Sequence, residues 1–216
     1  MRQRRISHSA AKRLVLFIVG VAVFYGSYYL GSRHAPMVPR FLNFRALEKP
    51  QALANLSLRD HYGNPFDAQR LTGHWNLVIF GYTGAVNSVR DRLILITHVK
   101  NRLAALPHLQ QITRGLLVTV APDTDKPAVL NSLMSRFSPD FLALTGSPEE
   151  IRSLARSLGI IIRHSATADS KDFRIEHSSS IALIDPDANL IGLFTGVVDA
   201  ASIAADIKQL AFGEAE

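Results

Sequence analysis

Residues 77–90 read Leu77-Val78-Ile79-Phe80-Gly81-Tyr82-Thr83-Gly84-Ala85-Val86-Asn87-Ser88-Val89-Arg90, and they indicate the fold more strongly than any other segment. The first four residues are an uninterrupted apolar run of buried-strand length. From Val86 onward, apolar residues recur mostly every three or four positions as far as Leu106, which predicts a helix with one apolar stripe. Gly81 and Gly84 keep the intervening loop small. The stretch therefore predicts a buried strand, a tight turn and a long helix.

The chain has no cysteine among its 216 residues. The thiolate is the reactive form of cysteine in disulfide exchange and the form that binds metals. Composition alone therefore excludes disulfide exchange, thiol peroxidase chemistry and thiolate metal binding.

Short apolar runs and helical patterns alternate along the rest of the chain. Further buried strands are predicted at 116–120, 181–184 and 190–194, and further helices at 127–136, 148–158 and 200–212. A strand-helix-strand crossover followed by a later hairpin fits a thioredoxin-like topology. The prediction is thus an α/β fold of this type, in one domain spanning 53–216.

Several short motifs occur in a fixed order between about residues 53 and 212. They are Phe80-Gly81-Tyr82-Thr83, Val120-Ala121-Pro122-Asp123-Thr124-Asp125-Lys126-Pro127, Phe141 with Leu144-Thr145-Gly146, and His177-Ser178-Ser179 leading into Leu183-Ile184-Asp185-Pro186-Asp187. Together they resemble the Sco/SenC family of membrane-anchored copper chaperones. In that family a CxxxC pair and a distant histidine bind copper for cytochrome c oxidase assembly.

The departures from the family pattern cluster on its metal site. Aligned on Gly-Tyr-Thr, the resemblance puts Ala85 and Val89 at the two cysteine positions and leaves His177 as the one retained ligand. Other replaced positions near the site are Val86, Asn87, Arg90 and Ala121. The resemblance therefore implies a divergent member with a degenerate copper site on an intact scaffold.

The N-terminus predicts a membrane anchor. Residues 1–13 contain five basic residues and no acid, and 14–31 is an uncharged run of 18 residues. Such a run is near the lower limit for crossing a bilayer, and a basic flank favours the cytoplasm. We expect a single-pass protein of the bacterial inner membrane with its C-terminal domain in the periplasm. A cleaved signal peptide is the alternative.

The high net charge belongs mostly to the N-terminal flank. Five of the 24 basic residues lie there, which leaves the exported part nearly neutral against 18 acids. A nearly neutral domain argues against a nucleic-acid partner. Residues 32–52, with Pro36, Pro39 and Pro50, predict a linker between anchor and domain.

His177 is the only candidate metal ligand that the resemblance retains. A lone imidazole does not hold Cu(I), which favours sulfur, so copper would require additional nitrogen or oxygen ligands and would then be Cu(II). His164 is expected across a hairpin at roughly 13 Å from His177, too far for shared ligation. The favoured reading is a strand-start histidine bonded locally, with no cofactor. The alternative is a non-standard copper-binding protein.

Other candidate chemistry has less support in the residues. Ser88 lacks the surrounding motif of a hydrolase nucleophile, and Asp185-Pro186-Asp187 reads as a turn. Asp123 and Asp125 are expected to help begin the helix at Pro127. Tyr82, in the exposed loop, is a candidate partner contact.

These observations predict a non-enzymatic protein tethered to the membrane that acts by binding another protein. The resemblance implies cytochrome oxidase subunits or another Sco-like protein as the partner, and a role in oxidase assembly or copper homeostasis.

Overall fold

The computed structural model describes residues 8–33, 43–53, 56–164, 173–176 and 180–213. The chain forms two compact units, Met1–Arg40 and Phe41–Glu216. The described part of the first unit is one helix, α1 (His8–Arg33). Its segment Lys12–Tyr29 is long and apolar enough to cross a membrane. Because signal sequences share these properties, the anchor at 14–31 stays a prediction.

The second unit is an α/β domain, which confirms the predicted fold class. Its strands are β1 (Phe44–Ala52), β2 (Ser57–Asp60), β3 (Pro65–Asp67), β4 (Trp75–Gly81), β5 (Thr113–Thr119), β6 (Leu142–Thr145), β7 (Ile161–His164), β8 (Phe173–Glu176), β9 (Ile181–Ile184) and β10 (Asn189–Phe194). Its helices are α2 (Val86–Arg102), α3 (Pro107–Ile112), α4 (Pro127–Met134), α5 (Pro148–Ser157) and α6 (Ala200–Phe212).

Eight strands form one mixed sheet in the order β1-β10-β9-β4-β5-β6-β2-β3, and β7 and β8 form a separate hairpin. The three central strands β4, β5 and β6 are parallel, and the remaining pairs are antiparallel. The loop after β4, residues 82–85, is called the motif loop. Because β4 lies between β5 and β9, the motif loop leaves the middle of the sheet.

Both faces of the central strands are buried, and this explains their continuous apolar runs. Leu77 and Ile79 of β4 join a core cluster with residues of α2, α4 and α6 on one face of the sheet. Val78 and Phe80 join a second cluster with residues of α5 and β2 on the other face. Alternate side chains of one strand therefore hold two helical layers to the same sheet.

The predicted linker at 32–52 is wrong in its second half. Residues Phe44–Ala52 form β1, which pairs with β10 from Phe44 opposite Phe194 to Ala52 opposite Asn189. The register is interrupted between Ala46 and Gln51. Prolines and charged side chains are typical of edge strands, so Pro50 and its charged neighbours masked the strand pattern.

Two hairpin turns of the sheet have the same geometry. Asp60 and Asp185 each accept backbone N–H groups from the residues two and four positions later, at 2.8–3.0 Å. The fourth residue after each aspartate is an asparagine, Asn64 or Asn189, whose side-chain amide donates back at 3.3 Å. The predicted turn at Asp185 is confirmed, and the same chemistry closes the hairpin of β2 and β3.

His61, in the first of these turns, is buried with only 3% of its surface exposed. Its Nδ1 accepts the backbone N–H of Ala143 in β6 at 3.1 Å, which requires that nitrogen to be unprotonated. Burial lowers the pKa of His61 below its ordinary value of 6.5, and this outweighs the nearby Asp60 carboxylate. The domain therefore folds with a neutral imidazole at the β2–β6 junction.

We predict that acidification destabilises the domain through His61. The unfolded chain binds the proton near pH 6.5, whereas the folded chain binds it only at lower pH. The contribution of His61 to stability is therefore complete above pH 6.5 and is lost as the pH falls from there through the folded pKa. Denaturant unfolding of His61→Gln should depend less on pH between 7.5 and 5.5 than that of the native chain, with both pH values chosen to bracket the ordinary histidine pKa of about 6.5.

The exposed His108 supplies the matched control. His108→Gln should leave the pH dependence as it is in the native chain. An equal flattening by both substitutions would contradict the role assigned to His61.

Candidate functional site

The motif loop lies at the edge where the parallel central strands end. After Gly81 the chain makes a short 3-10 turn at Thr83–Ala85 and enters α2. Gly81 pairs with Thr119 of β5, and its carbonyl accepts the N–H of Val120 at 2.9 Å. The segment after β5, residues 120–127, therefore runs beside the motif loop.

A buried carboxylate ties these two segments together. Asp125 has no exposed surface. It accepts the backbone N–H of Thr83 at 3.0 Å, the Thr83 hydroxyl, and the Thr119 hydroxyl at 2.6 Å. The Thr119 oxygen in turn accepts the N–H of Ala121 at 3.1 Å. Because a buried charge is costly unless hydrogen-bonded, this network defines where the loop sits.

The expectation that Asp125 helps begin α4 is wrong. The residue preceding α4 is Lys126, which makes no side-chain capping bond. Asp125 is instead turned toward Thr83, 42 positions earlier in the chain. A sequence pattern near Pro127 cannot show this because the partner becomes adjacent only when β4 and β5 pair.

Asp125→Asn should destabilise the domain by about 1.5–3 kcal/mol, the usual size of a hydrogen bond to a charged group. The amide keeps the shape of the side chain but turns an NH₂ donor toward donors that need an acceptor. Chemical denaturation measures the loss.

Asp123→Asn is the control, because Asp123 is exposed two positions earlier. Its effect should stay within about 0.5 kcal/mol, as at most surface positions. Equal effects of the two substitutions would show that the Asp125 network does not hold the loop.

Val89, at the second cysteine position of the resemblance, is part of the hydrophobic core. Only 2% of its surface is exposed, and its Cγ2 would lie 2.4 Å from a Cβ on Gly81. The valine therefore fits because residue 81 has no side chain. Ala85, at the first cysteine position, is half-buried and directly precedes α2 without a side-chain cap.

Tyr82 packs back onto its own loop. The side chain is half-buried, and its ring would come within 2.3 Å of a Cβ on Gly84. Tyr82 also contacts the second core cluster. A partner contact by Tyr82 stays a prediction, and the ring surface available for it is reduced by this packing.

The residues at the motif loop do not fit Cu(I). Neither Ala85 nor Val89 has a donor atom, and Cu(I) favours sulfur ligands. Within the part of the chain that the structure describes, no group of three or more His, Cys, Asp or Glu residues is placed to hold a metal ion.

His177, the retained family ligand, lies outside the described residues. The strand that follows it, β9, runs antiparallel to β4 with Ala182 opposite Val78. Ile181 therefore enters the sheet at the edge where β4 ends. His164 pairs with Phe173 in the β7–β8 hairpin, which confirms the hairpin expected there. The separation of His164 from His177 remains a prediction.

This edge has one further feature that the sequence did not predict. A groove of about 440 Å³ lies between β2, the segment after β5 and the segment after β6. Arg59 and Lys126 supply its two cationic side chains. They are 67 positions apart in the sequence, so no local pattern could have joined them.

Known proteins are similar in sequence to this chain over most of the α/β domain. The SCO1/SenC family model matches residues 45–211. The mitochondrial SCO2 homolog of Bos taurus is 32% identical over 71% of this chain and 56% of the relative. A SCO2-like protein of Rickettsia prowazekii is 25% identical over 84% of this chain and 86% of the relative. The chain spans about half the length of the mitochondrial SCO2 relatives it matches.

Solved structures show the same fold. The crystal structure of Arabidopsis thaliana ScoI with copper bound is 25% identical, with a TM-score of 0.64 over 74% of this chain and 99% of that one. The solution structure of apo Sco1 from Thermus thermophilus is 22% identical and has a TM-score of 0.66 over 82% of this chain and 99% of that one. The thioredoxin-like Sco fold is therefore confirmed.

Proposed function

Because the chain belongs to the SCO1/SenC family, we propose that it is a membrane-tethered, non-redox accessory factor that binds another protein. The family is known for copper chaperoning in cytochrome c oxidase assembly. The proposed role lies in that assembly or in copper homeostasis. The proposed partners are oxidase subunits or another Sco-like protein, and no enzymatic step is assigned to the chain.

The observation that carries this proposal is the contrast between the motif loop and its support. Val89 is packed in the core and Ala85 has no donor atom, so the loop lacks the thiol chemistry of the family. Asp125 nevertheless holds the loop through Thr83 and Thr119. A loop that is held in place but carries no thiol suits recognition of a partner better than transfer of a metal.

The proposed location follows from the N-terminal helix. Residues 1–13 would lie in the cytoplasm, 14–31 would span the bacterial inner membrane, and the domain would lie in the periplasm. The supporting observation is the helix segment Lys12–Tyr29, which is long and apolar enough to span a bilayer.

Partner and location are tested together by crosslinking in intact spheroplasts with a reagent that does not cross the membrane. We expect the full chain to be captured with oxidase subunits or another Sco-like protein. Products that form only after lysis would refute the periplasmic location. Absence of such partners in both preparations would refute the accessory role.

Restoring the missing thiols tests whether the site has been lost. Ala85 immediately precedes α2 and Val89 lies in the first turn of that helix, four positions later, so Ala85→Cys with Val89→Cys should bring two thiols close to each other. In anaerobic titrations of the detergent-solubilised chain, the native protein should not bind Cu(I) tightly and the double variant should. His177→Ala should weaken the binding in the double variant, as the resemblance implies.

The native chain supplies two checks on the copper-binding alternative. A metal chelator should leave its thermal unfolding midpoint unchanged, since the described residues offer no ligand set on which folding could depend. Tight Cu(I) binding by the native chain would refute the lost-site proposal. A midpoint lowered by chelation would instead favour a non-standard copper site that includes His177.

A further inference from the structure

The groove at the carboxyl edge of β5 and β6 has a mixed lining of rigid apolar and charged groups. Its volume is about 440 Å³, within the size range of ligand-binding clefts. Its walls include the prolines Pro65, Pro122 and Pro127, together with Leu58 from β2. Leu58 is buried beneath the groove, so the floor is part of the folded core.

The charge of the groove favours an acidic occupant. Arg59 and Lys126 are both exposed and line it from two separate segments. Among the described residues that line the groove, Glu150 is the only carboxylate. It accepts the backbone N–H of Ser147 at 2.8 Å in a capping box at the start of α5, and this bond lowers its pKa. Glu150 also interacts electrostatically with Arg59, so the lining carries two cations against one carboxylate and keeps a net positive charge for an acidic partner.

The groove is connected to the motif loop through one short segment. Pro122 and Lys126 line the groove, and Asp125 between them accepts hydrogen bonds from Thr83. A partner seated in the groove would therefore contact the same segment that holds the motif loop. The segment that lines the groove is therefore also the segment that positions the motif loop.

We infer that this groove binds an extended, acidic peptide segment of a partner protein, an inference that rests on the proposed accessory function. Arg59 and Lys126 pair with carboxylates of the segment, and Arg can do so through two parallel N–H groups. Arg59 also donates from Nη1 to the carbonyl of Gly63 at 3.3 Å, and this bond restricts the position of its guanidinium. The prolines add apolar walls that pack against the peptide backbone.

The test uses the full chain in a non-ionic detergent with fluorescently labelled hexaglutamate and hexaglutamine peptides at low ionic strength. We expect hexaglutamate to bind more tightly and to be weakened by added salt. Lys126→Glu and Arg59→Glu should each weaken hexaglutamate binding about tenfold, because each places a like charge against the acidic peptide. Circular dichroism verifies that each variant is folded.

Lys49→Glu is the matched control. It makes the same change in net charge on an exposed residue of β1, which lies at the opposite end of the sheet order from β2 and β3. We expect it to change hexaglutamate binding less than about twofold, because the interaction of two exposed charges weakens with distance and Lys49 does not line the groove. Equal weakening by Lys49→Glu would show that the effect comes from net charge alone, and it would overturn the proposed binding in the groove.

Three other results would also overturn the inference. These are absence of hexaglutamate binding, equal binding of hexaglutamine, and displacement of hexaglutamate by equimolar inorganic phosphate, which would indicate a small-anion site. Spheroplast crosslinking with Lys126→Glu separates this inference from the proposed function. If Lys126→Glu captures oxidase subunits as efficiently as the native chain does, the groove is refuted as the binding site and the accessory role stands.

Discussion

The Asp125 carboxylate holds together the segments at the edge where the parallel central strands end. It is fully buried, and its oxygens accept hydrogen bonds from Thr83 and Thr119. A buried charge without these partners would cost several kcal/mol, so the segments that supply them are held together. The motif loop after β4 and the segment after β5 therefore form one supported unit. The groove beside Lys126 is built on the same unit.

Apolar and aromatic side chains pack tightly around the motif loop. Val89 is in the core, and its contact with Gly81 leaves no room for a side chain at residue 81. The Tyr82 ring likewise lies where a side chain on Gly84 would be. The two glycines thus let larger side chains close over the loop. The family scaffold is retained, and neither the half-buried Ala85 nor the core residue Val89 brings a donor atom to this loop.

Prediction from sequence succeeded where a pattern is local and continuous. The strands β4, β5 and β9 are buried along their whole length, and β9 and β10 form a hairpin. Their apolar runs are uninterrupted or nearly so. It failed at β1, whose edge position tolerates charges and Pro50. It also misassigned Asp125, because a side chain near a helix start can bond either to that helix or to a distant strand.

The sequence alone shows that the chain has no cysteine and hence no thiol chemistry, and it predicts an α/β domain after an apolar helix. These features depend on composition and on short-range periodicity. Only the tertiary structure decided that Asp125 supports Thr83, that His61 is held neutral against β6, and that Arg59 and Lys126 line one groove. Each of these joins residues more than 40 positions apart. Such contacts arise when strands pair and the sheet brings their ends to a common edge, and no local pattern records that event.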